Sequence, residues 1–266
     1  MALSPPAVQA VAADVAAARR DRRPIFPVRG RFAPGDIRAA YAVQALVLGS
    51  EEQAVGRKLA LTSPASQAQM GVGEPVVGTL LAAMAAPEGA AVSMASFIAP
   101  YIEGEVAFRI GTDIEAPTDA SGLVAYIDGI AAAFEIVDSA IIGWDVQILD
   151  FIADNACCAG FKTGPWQPFR PGAALLEARM SLARDGLIRS AGSGDAYPGG
   201  PLAALAWLAA KAVAMERPLR AGEIVLAGAL GPMVTLEPGE WTLRVDGFAP
   251  LRMRVANYTE ARKEGA

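Results

Sequence analysis

Apolar and polar residues alternate along residues 101–110, which predicts a β-strand with two different faces. One face carries only apolar residues and a glycine: Ile102, Gly104, Val106, Phe108 and Ile110. The other face carries two carboxylates, Glu103 and Glu105, which strand geometry places about 7 Å apart. Like charges at this distance repel unless water or a cation separates them. The pattern therefore indicates a strand that could hold a cation on one face.

In other parts of the chain, apolar residues recur at helical spacing. Some of these segments begin with Ser-Pro or Asp or end at Gly, and such residues are typical of helix boundaries. We predict helices at residues 5–20, from 36 to 48, 64–71, 121–132 and 201–215. Shorter alternating or apolar runs favour further strands. We predict these strands at residues 56–62, 133–138, 223–227, 240–246 and 251–256.

Strands outnumber helices after the first two helices, and the two kinds of element do not alternate regularly. This order is typical of an α+β protein with a mixed, folded-over sheet rather than of a parallel α/β fold. We expect residues 1–50 to form a small N-terminal helical appendage. Residues 51–266 would then form the main domain.

Composition narrows the possible functions. The chain has 266 residues, of which 53% are apolar, 19% charged and 7% aromatic, and its net charge is −5. Because the basic residues form no stripe, nucleic-acid binding has no support. No uninterrupted apolar run is long enough to span a membrane, and no secretory signal is evident. We therefore expect a cytoplasmic protein in which the adjacent Cys157 and Cys158 are buried thiols rather than a disulfide.

The absence of histidine restricts the chemistry of any metal site. Zinc sites rich in histidine and Ser-His-Asp triads are excluded, and oxygen ligands favour a hard cation such as Mg²⁺ or Mn²⁺. A third carboxylate, Glu135, interrupts the apolar run 131–137, where it needs a partner or a cation. Three carboxylates on neighbouring strands would form half an octahedral shell. The alternative is a solvated or salt-bridged cluster, with Arg109 as partner.

Six groups of motifs occur in an order that resembles one known family. They are GRKLALTS (56–63), QMGV (69–72) with GTL (78–80), PYIEGEVA (100–107), FEIVDS (134–139), IADNA (152–156) and GALGPMV (228–234). Together they resemble the 2-keto-4-pentenoate hydratase and 4-oxalocrotonate decarboxylase family, within the fumarylacetoacetate hydrolase superfamily. The resemblance runs from about residue 36 to about residue 256.

The resemblance implies mixed β-sheets rolled around a divalent ion, Mg²⁺ or Mn²⁺, in a homo-oligomer. It places the metal carboxylates on Glu103, Glu105 and Glu135, and a catalytic lysine on Lys58. Beside a cation, repulsion would lower the pKa of this lysine and make it a usable proton carrier. Four further residues are candidates for contacting the substrate: Asp138, Asn155, Gly228 and Ala229.

The implied activity is that of a lyase that hydrates a small unsaturated 2-oxo acid in the breakdown of an aromatic-derived fragment. The carboxylate and keto oxygens of the 2-oxo acid would chelate the metal, and the metal would stabilise the enolate. A decarboxylase or tautomerase on the same scaffold is the alternative enzyme. A non-catalytic homologue that binds the metal and a keto acid is the alternative from another class, and a complex with a related decarboxylase or hydratase remains open.

Some positions depart from the family pattern around the substrate rather than around the metal. Val76 and Val77 occupy the segment where many hydratases have an aspartate, and Ala140 stands where the family has an arginine. Tyr101 stands where the family commonly has an arginine, just before the glutamates of the predicted strand. We therefore predict an intact metal and enolate site with an altered choice of substrate.

Overall fold

Five α-helices lie in the part of the chain that the computed structural model describes, residues 4–49, 54–86, 88–170, 172 and 174–257. They are α1 (Pro5–Asp21), α2 (Ile37–Leu48), α3 (Pro64–Met70), α4 (Ile148–Ala153) and α5 (Gly200–Ala214). Four of them confirm predicted helices, and α4 was not predicted. None of these helices is long and apolar enough to cross a membrane.

Two mixed β-sheets form the body. In chain order the strands are β1 (Ala54–Ala60), β2 (Val76–Leu81), β3 (Val92–Ser93), β4 (Tyr101–Ile110), β5 (Ile127–Val137), β6 (Cys158–Thr163), β7 (Arg179–Arg184), β8 (Leu187–Ser193), β9 (Ile224–Ala229), β10 (Val234–Thr235), β11 (Gly239–Val245) and β12 (Leu251–Ala256). The larger sheet has the order β2-β1-β9-β4-β5-β6, with β10 added to β4. The smaller sheet has the order β3-β12-β11-β7-β8. The predicted α+β class is confirmed.

Strand β4 has the bounds and the two faces that its alternation predicts. Its apolar face packs against the smaller sheet, as Gly104 shows. A Cβ atom at Gly104 would lie 2.6 Å from Leu243 Cδ1 on β11, so the close approach of the two sheets requires glycine there. The opposite face is therefore the one that carries Glu103 and Glu105.

The predicted helix at 121–132 is wrong. Residues Gly122–Tyr126 form a short 3-10 turn, and β5 then runs through the alanines 131–133 to Val137. Alanine favours helices when only local propensity acts. Here the run pairs with β4 on one side and β6 on the other, and residues 129–137 are all buried. Pairing on both edges outweighs the helix propensity of the alanines.

The N-terminal helix α1 packs on α2, and α2 packs on α4. Buried side chains of α1 and α2, among them Val11, Val15 and Val43, share one apolar cluster with Ile152 of α4. Asp36 caps α2 by accepting the backbone N–H of Ala39. The division into an appendage of residues 1–50 and a catalytic domain of residues 51–266 stays a prediction.

Arg19 connects α1 to the loop after α4. Its Nε lies 2.5 Å from Asp154 Oδ1, and its Nη atoms donate to the carbonyls of Asp138, Asp154 and Cys158. The Asp154 side chain is 1% exposed. Burial raises the pKa of this carboxyl, while the guanidinium beside it acts in the opposite direction. No local sequence pattern predicts the contact between Arg19 and Asp154, because the two residues lie far apart in the chain.

We expect Arg19→Met to lower the free energy of unfolding by about 2–4 kcal/mol, because it leaves the Asp154 carboxylate buried without its counterion. Urea denaturation followed by far-UV circular dichroism measures the change. Arg20→Met is the matched control, since Arg20 pairs with Asp21 at the surface, and its stability should equal that of the parent. Equal stability of the two variants would contradict the role of the buried pair.

Candidate metal centre

Three carboxylates converge where β4 and β5 lie side by side. Glu103 is the direct antiparallel partner of Glu135, and Glu105 follows two residues along β4 on the same face. Oxygen atoms of the three side chains lie within 4.8 Å of one another. The structure thus brings together the three glutamates that the sequence singles out.

Two of these carboxylates are fully buried and incompletely paired. Glu105 Oε2 accepts the backbone N–H of Gly228 at 2.7 Å. Within the described residues, Glu105 Oε1 and Glu135 Oε2 have no hydrogen-bond partner. Unpartnered charged oxygens are costly in a protein interior. An all-oxygen set of this kind suits a hard divalent cation such as Mg²⁺ or Mn²⁺.

The carboxylates also perturb one another. Burial, together with the nearby charge of Glu135, raises the pKa of Glu105 well above its usual range. The same two causes, in the same order, raise the pKa of Glu103 to about 7. Without a cation, Glu103 and Glu105 therefore favour their protonated forms, and a divalent cation would have to displace those protons to bind.

Lys58 supplies the positive charge next to this cluster. Its Nζ lies 2.9 Å from Glu135 Oε1, and its side chain is 2% exposed. Burial is the largest single influence and disfavours the charged ammonium, but the neighbouring acidic groups, Glu135 first and then Cys158 and Glu103, together outweigh it, so the pKa of Lys58 lies above its ordinary value. The lowered pKa that the sequence leads us to expect for Lys58 requires a cation nearby, because the acidic groups around Lys58 raise its pKa.

A narrow slot holds the methylene chain of Lys58. Gly78 of β2 pairs with Lys58, and a Cβ atom on that glycine would lie 3.0 Å from Lys58 Cε and 2.8 Å from the backbone oxygen of Asn155. The ring of Phe151 lies 5.8 Å from Nζ. The glycine in the GTL motif therefore leaves space that the lysine fills.

The four predicted substrate residues lie in different surroundings. The carboxylate of Asp138 accepts the backbone N–H groups of Ile98 and Ala99, both at 2.7 Å. The amide of Asn155 pairs with both backbone groups of Thr79. These two side chains thus hold backbone segments beside the cluster.

The other two predicted substrate residues belong to β9. Gly228 orients Glu105 through its N–H, and Ala229 lines a cavity next to Glu103. Arg109, the alternative partner for the acids, pairs instead with Asp128 at 2.7 Å. Substrate contact by any of the four residues stays a prediction.

The cavity has a volume of about 680 Å³ and opens beside Lys58 and Glu103. Its wall includes Cys157, the last of three consecutive non-glycine residues with positive φ. These residues are Asn155 (φ 53°), Ala156 (φ 49°) and Cys157 (φ 57°). Such backbone strain is concentrated at functional sites, where the surrounding structure enforces it. The sequence does not predict this left-handed backbone, because none of the three residues is glycine, the residue that adopts positive φ most readily.

The chain is similar to known proteins in both sequence and structure. No protein-family model matches the chain. The chain is 40% identical over 262 residues to the 2-keto-4-pentenoate hydratase of Paraburkholderia phymatum, covering 95% of this chain and 98% of that one. Its structure is similar to 4-oxalocrotonate decarboxylase from Pseudomonas putida G7 complexed with magnesium and adipate. That match has a TM-score of 0.89 at 27% identity and covers 96% of this chain and 99% of the other.

A more distant match shows the fold alone. A putative fumarylacetoacetate hydrolase family protein from Yersinia pestis superposes with a TM-score of 0.60 at 19% identity. The match covers 75% of this chain and 92% of the other. The rolled mixed sheet is therefore common to proteins of quite different sequence.

Proposed function

Since the chain belongs to the 2-keto-4-pentenoate hydratase family, within the fumarylacetoacetate hydrolase superfamily, we propose that it hydrates a small unsaturated 2-oxo acid with the help of Mg²⁺ or Mn²⁺. The observation that carries the proposal is the cluster of Glu103, Glu105 and Glu135 beside a buried lysine and an open cavity. Like-charged, unpartnered oxygens at this point have no evident structural purpose. They are well suited to a cation that a substrate can reach.

The three glutamates would hold the cation. A bound Mg²⁺ or Mn²⁺ supplies Lewis acidity, which stabilises negative charge on the oxygen of a 2-oxo acid. Glu105 is oriented by the N–H of Gly228, and Glu135 by Lys58, so two of the three ligands have a fixed direction. The half-buried Glu103 faces the cavity from which a substrate would approach.

Lys58 is the group best placed to move a proton. Its Nζ carries the proton, lies in the wall of the cavity and has no competing contact with bulk water. A hydratase must protonate the far carbon of the 2-hydroxydienoate and guide water to the resulting enone. We assign the proton transfer to Lys58 Nζ. A bound cation would lower the pKa of this amine, so that it could both donate and accept a proton.

Decarboxylation is the second candidate, because the similar structure at a TM-score of 0.89 is a decarboxylase. Its sequence identity of 27% is below the 40% shared with the hydratase from Paraburkholderia phymatum. Both reactions develop negative charge on the same substrate oxygen, so they are distinguished by substrate and product rather than by the carboxylate cluster.

The direct test supplies both substrates to the purified protein with Mg²⁺ or Mn²⁺. We expect metal-dependent conversion of 2-hydroxypenta-2,4-dienoate to 4-hydroxy-2-oxopentanoate with kcat/KM below about 10⁴ M⁻¹s⁻¹, because the sequence predicts an altered choice of substrate. EDTA should abolish the reaction, and added metal should restore it. Faster release of CO₂ from 2-oxohex-3-enedioate would favour the decarboxylase, and no metal-dependent reaction with either acid would contradict the proposal.

The remaining expectations concern the assembled protein. A homo-oligomer, a complex with a related decarboxylase or hydratase, and a cytoplasmic location stay predictions. Light scattering on the purified chain measures its oligomeric state. Co-expression with a related decarboxylase tests the complex.

A further inference from the structure

An apolar pair of residues lies next to the acidic pair on the same two strands. Tyr101 of β4 is the direct partner of Val137 of β5, two residues from the pair formed by Glu103 and Glu135. Because side chains alternate along a strand, both pairs point to the same side of the sheet, about 7 Å apart. Tyr101, Val137 and Glu103 all line the cavity. A ligand held at the carboxylates therefore meets an apolar surface at once.

Trp144 extends this surface. Its ring packs edge-on against Tyr101, with the ring centroids 5.0 Å apart and an interplanar angle of 83°. Its indole N–H donates to the carbonyl of Ala99 at 2.8 Å, so the polar end of the ring already has a partner. The backbone at Trp144 has φ 56°, and Gly143 before it has φ 64°. A bulky residue is thus held in a strained conformation at the cavity wall.

The rest of the wall contains little charge. Among the described residues that line the cavity, the charged ones are Lys58 and Glu103, and Lys58 is already paired with Glu135. The uncharged remainder of the wall includes apolar residues, Leu61, Met70, Val146, Phe151 and Met233, and polar ones, Thr62, Ser63, Ser66 and Gln69. The hydroxyl of Ser63 accepts the N–H of Ser66 and caps α3. The wall thus provides no cation for a second carboxylate.

We propose that the cavity favours 2-oxo acids whose far end is an uncharged apolar group larger than a vinyl or methyl group, such as a phenyl ring. Tyr101, Val137 and Trp144 form the binding surface for that group, here called the tail surface. The proposal rests on the proposed function, which places the acid end of the substrate at the carboxylate cluster.

Size and solvation both support the tail surface. A cavity of about 680 Å³ is of the size that holds drug-sized ligands, which are much larger than a five-carbon acid. A second carboxylate in this cavity would lose hydration without gaining a counterion. An apolar group would instead gain about 10–200-fold in affinity for each methylene that fills the pocket well.

Binding of unreactive 2-oxo acids tests this selectivity without turnover. Calorimetric titration in the presence of Mg²⁺ would compare 2-oxobutanoate, 2-oxo-4-phenylbutanoate and 2-oxoglutarate. We expect the phenyl compound to bind at least 10-fold more tightly than 2-oxobutanoate, and 2-oxoglutarate to bind no more tightly than 2-oxobutanoate. Equal affinities for the three acids, or tightest binding of 2-oxoglutarate, would overturn the proposal.

Two variants localise the effect. Trp144→Ala should reduce the preference for the phenyl compound over 2-oxobutanoate about 10-fold. Val146→Arg puts a cation at the half-buried rim of the cavity and should raise the affinity for 2-oxoglutarate at least 10-fold relative to the phenyl compound. Leu187→Arg is the control, since Leu187 is 69% exposed on β8 and does not line the cavity. If Val146→Arg gives the same affinity ratio as Leu187→Arg, the tail surface is wrongly placed.

The two proposals fail in different ways. Absence of metal-dependent hydration, together with the expected ranking of the three oxo acids, would overturn the proposed function and leave the tail surface in place. Hydration of 2-hydroxypenta-2,4-dienoate, together with equal affinities for the three oxo acids, would overturn the tail surface alone.

Discussion

Replacing Glu105 with glutamine is expected to lower metal-dependent kcat/KM by about 10²–10³-fold or more, and at the same time to stabilise the protein measured with EDTA. Glutamine keeps an oxygen for the N–H of Gly228 but carries no charge for a cation. The same change removes the repulsion between Glu105 and Glu135 in a fully buried site. Loss of function and gain of stability would thus arise from one carboxylate.

The size of the stability change depends on pH. Burial and then Glu135 raise the pKa of Glu105 in the folded state, so folding favours its protonated form. Stability from this group is therefore lost as pH rises from the unfolded pKa toward the folded one. We expect Glu105→Gln to unfold about 2–6 °C higher than the parent at pH 8, and by a smaller margin at pH 5.

Thermal unfolding at both pH values, with EDTA and with Mg²⁺ plus oxalate, measures the two effects together. The parent should be stabilised by Mg²⁺ plus oxalate, and Glu105→Gln should not. Glu240→Gln is the control, because Glu240 is exposed on β11 and should change neither activity nor the metal effect. A Glu105→Gln protein with full metal-dependent activity would contradict the assignment of this residue as a ligand.

Lys58→Met is expected to reduce kcat by about 10²–10⁴-fold while the protein still binds the metal. Methionine fills the slot beside Gly78 but has no proton to transfer. Removing the ammonium also takes a positive charge away from Glu135, so the affinity for Mg²⁺ should rise. A variant that had simply lost its structure would lose activity and metal binding together.

Metal titration followed by calorimetry, alongside steady-state rates, separates these outcomes. Lys162→Met is the control, because Lys162 lies on β6 and its Nζ donates to the carbonyl of Arg252 outside the carboxylate cluster. Its activity and metal affinity should match those of the parent. Retained turnover in Lys58→Met would exclude this lysine as the proton carrier.

Short-range pattern determined much of the fold. The bounds and faces of β4 follow from strict alternation, and those of α5 follow from helical spacing. Ser63 followed by Pro64 begins α3, because a serine cap and a first-turn proline act within one turn of helix. These features depend on residues a few positions apart, so the sequence by itself contains their cause. The family is also evident from the order of motifs, and relatives at about 40% identity confirm it.

The sequence also singled out Glu103, Glu105 and Glu135 as a candidate set, because acids interrupt two apolar runs and histidine is absent. It did not determine how the acids lie relative to one another. That depends on the register of β4 against β5, which pairs Glu103 with Glu135. The wrong helix at 121–132 has the same origin, since an alanine-rich run satisfies either structure until neighbouring strands are present.

Only the tertiary structure decided what surrounds the carboxylate cluster. The ion pair between Lys58 and Glu135, and that between Arg19 and Asp154, join residues far apart in the chain. Trp144 is packed against Tyr101 by a loop from beyond β5, and no local pattern predicts that contact. Local propensity acts over a few residues, whereas burial, ion pairing and the shape of a cavity depend on which segments the folded sheets bring together. The sequence thus indicated the candidate ligands, and the tertiary structure determined the space that a substrate would occupy.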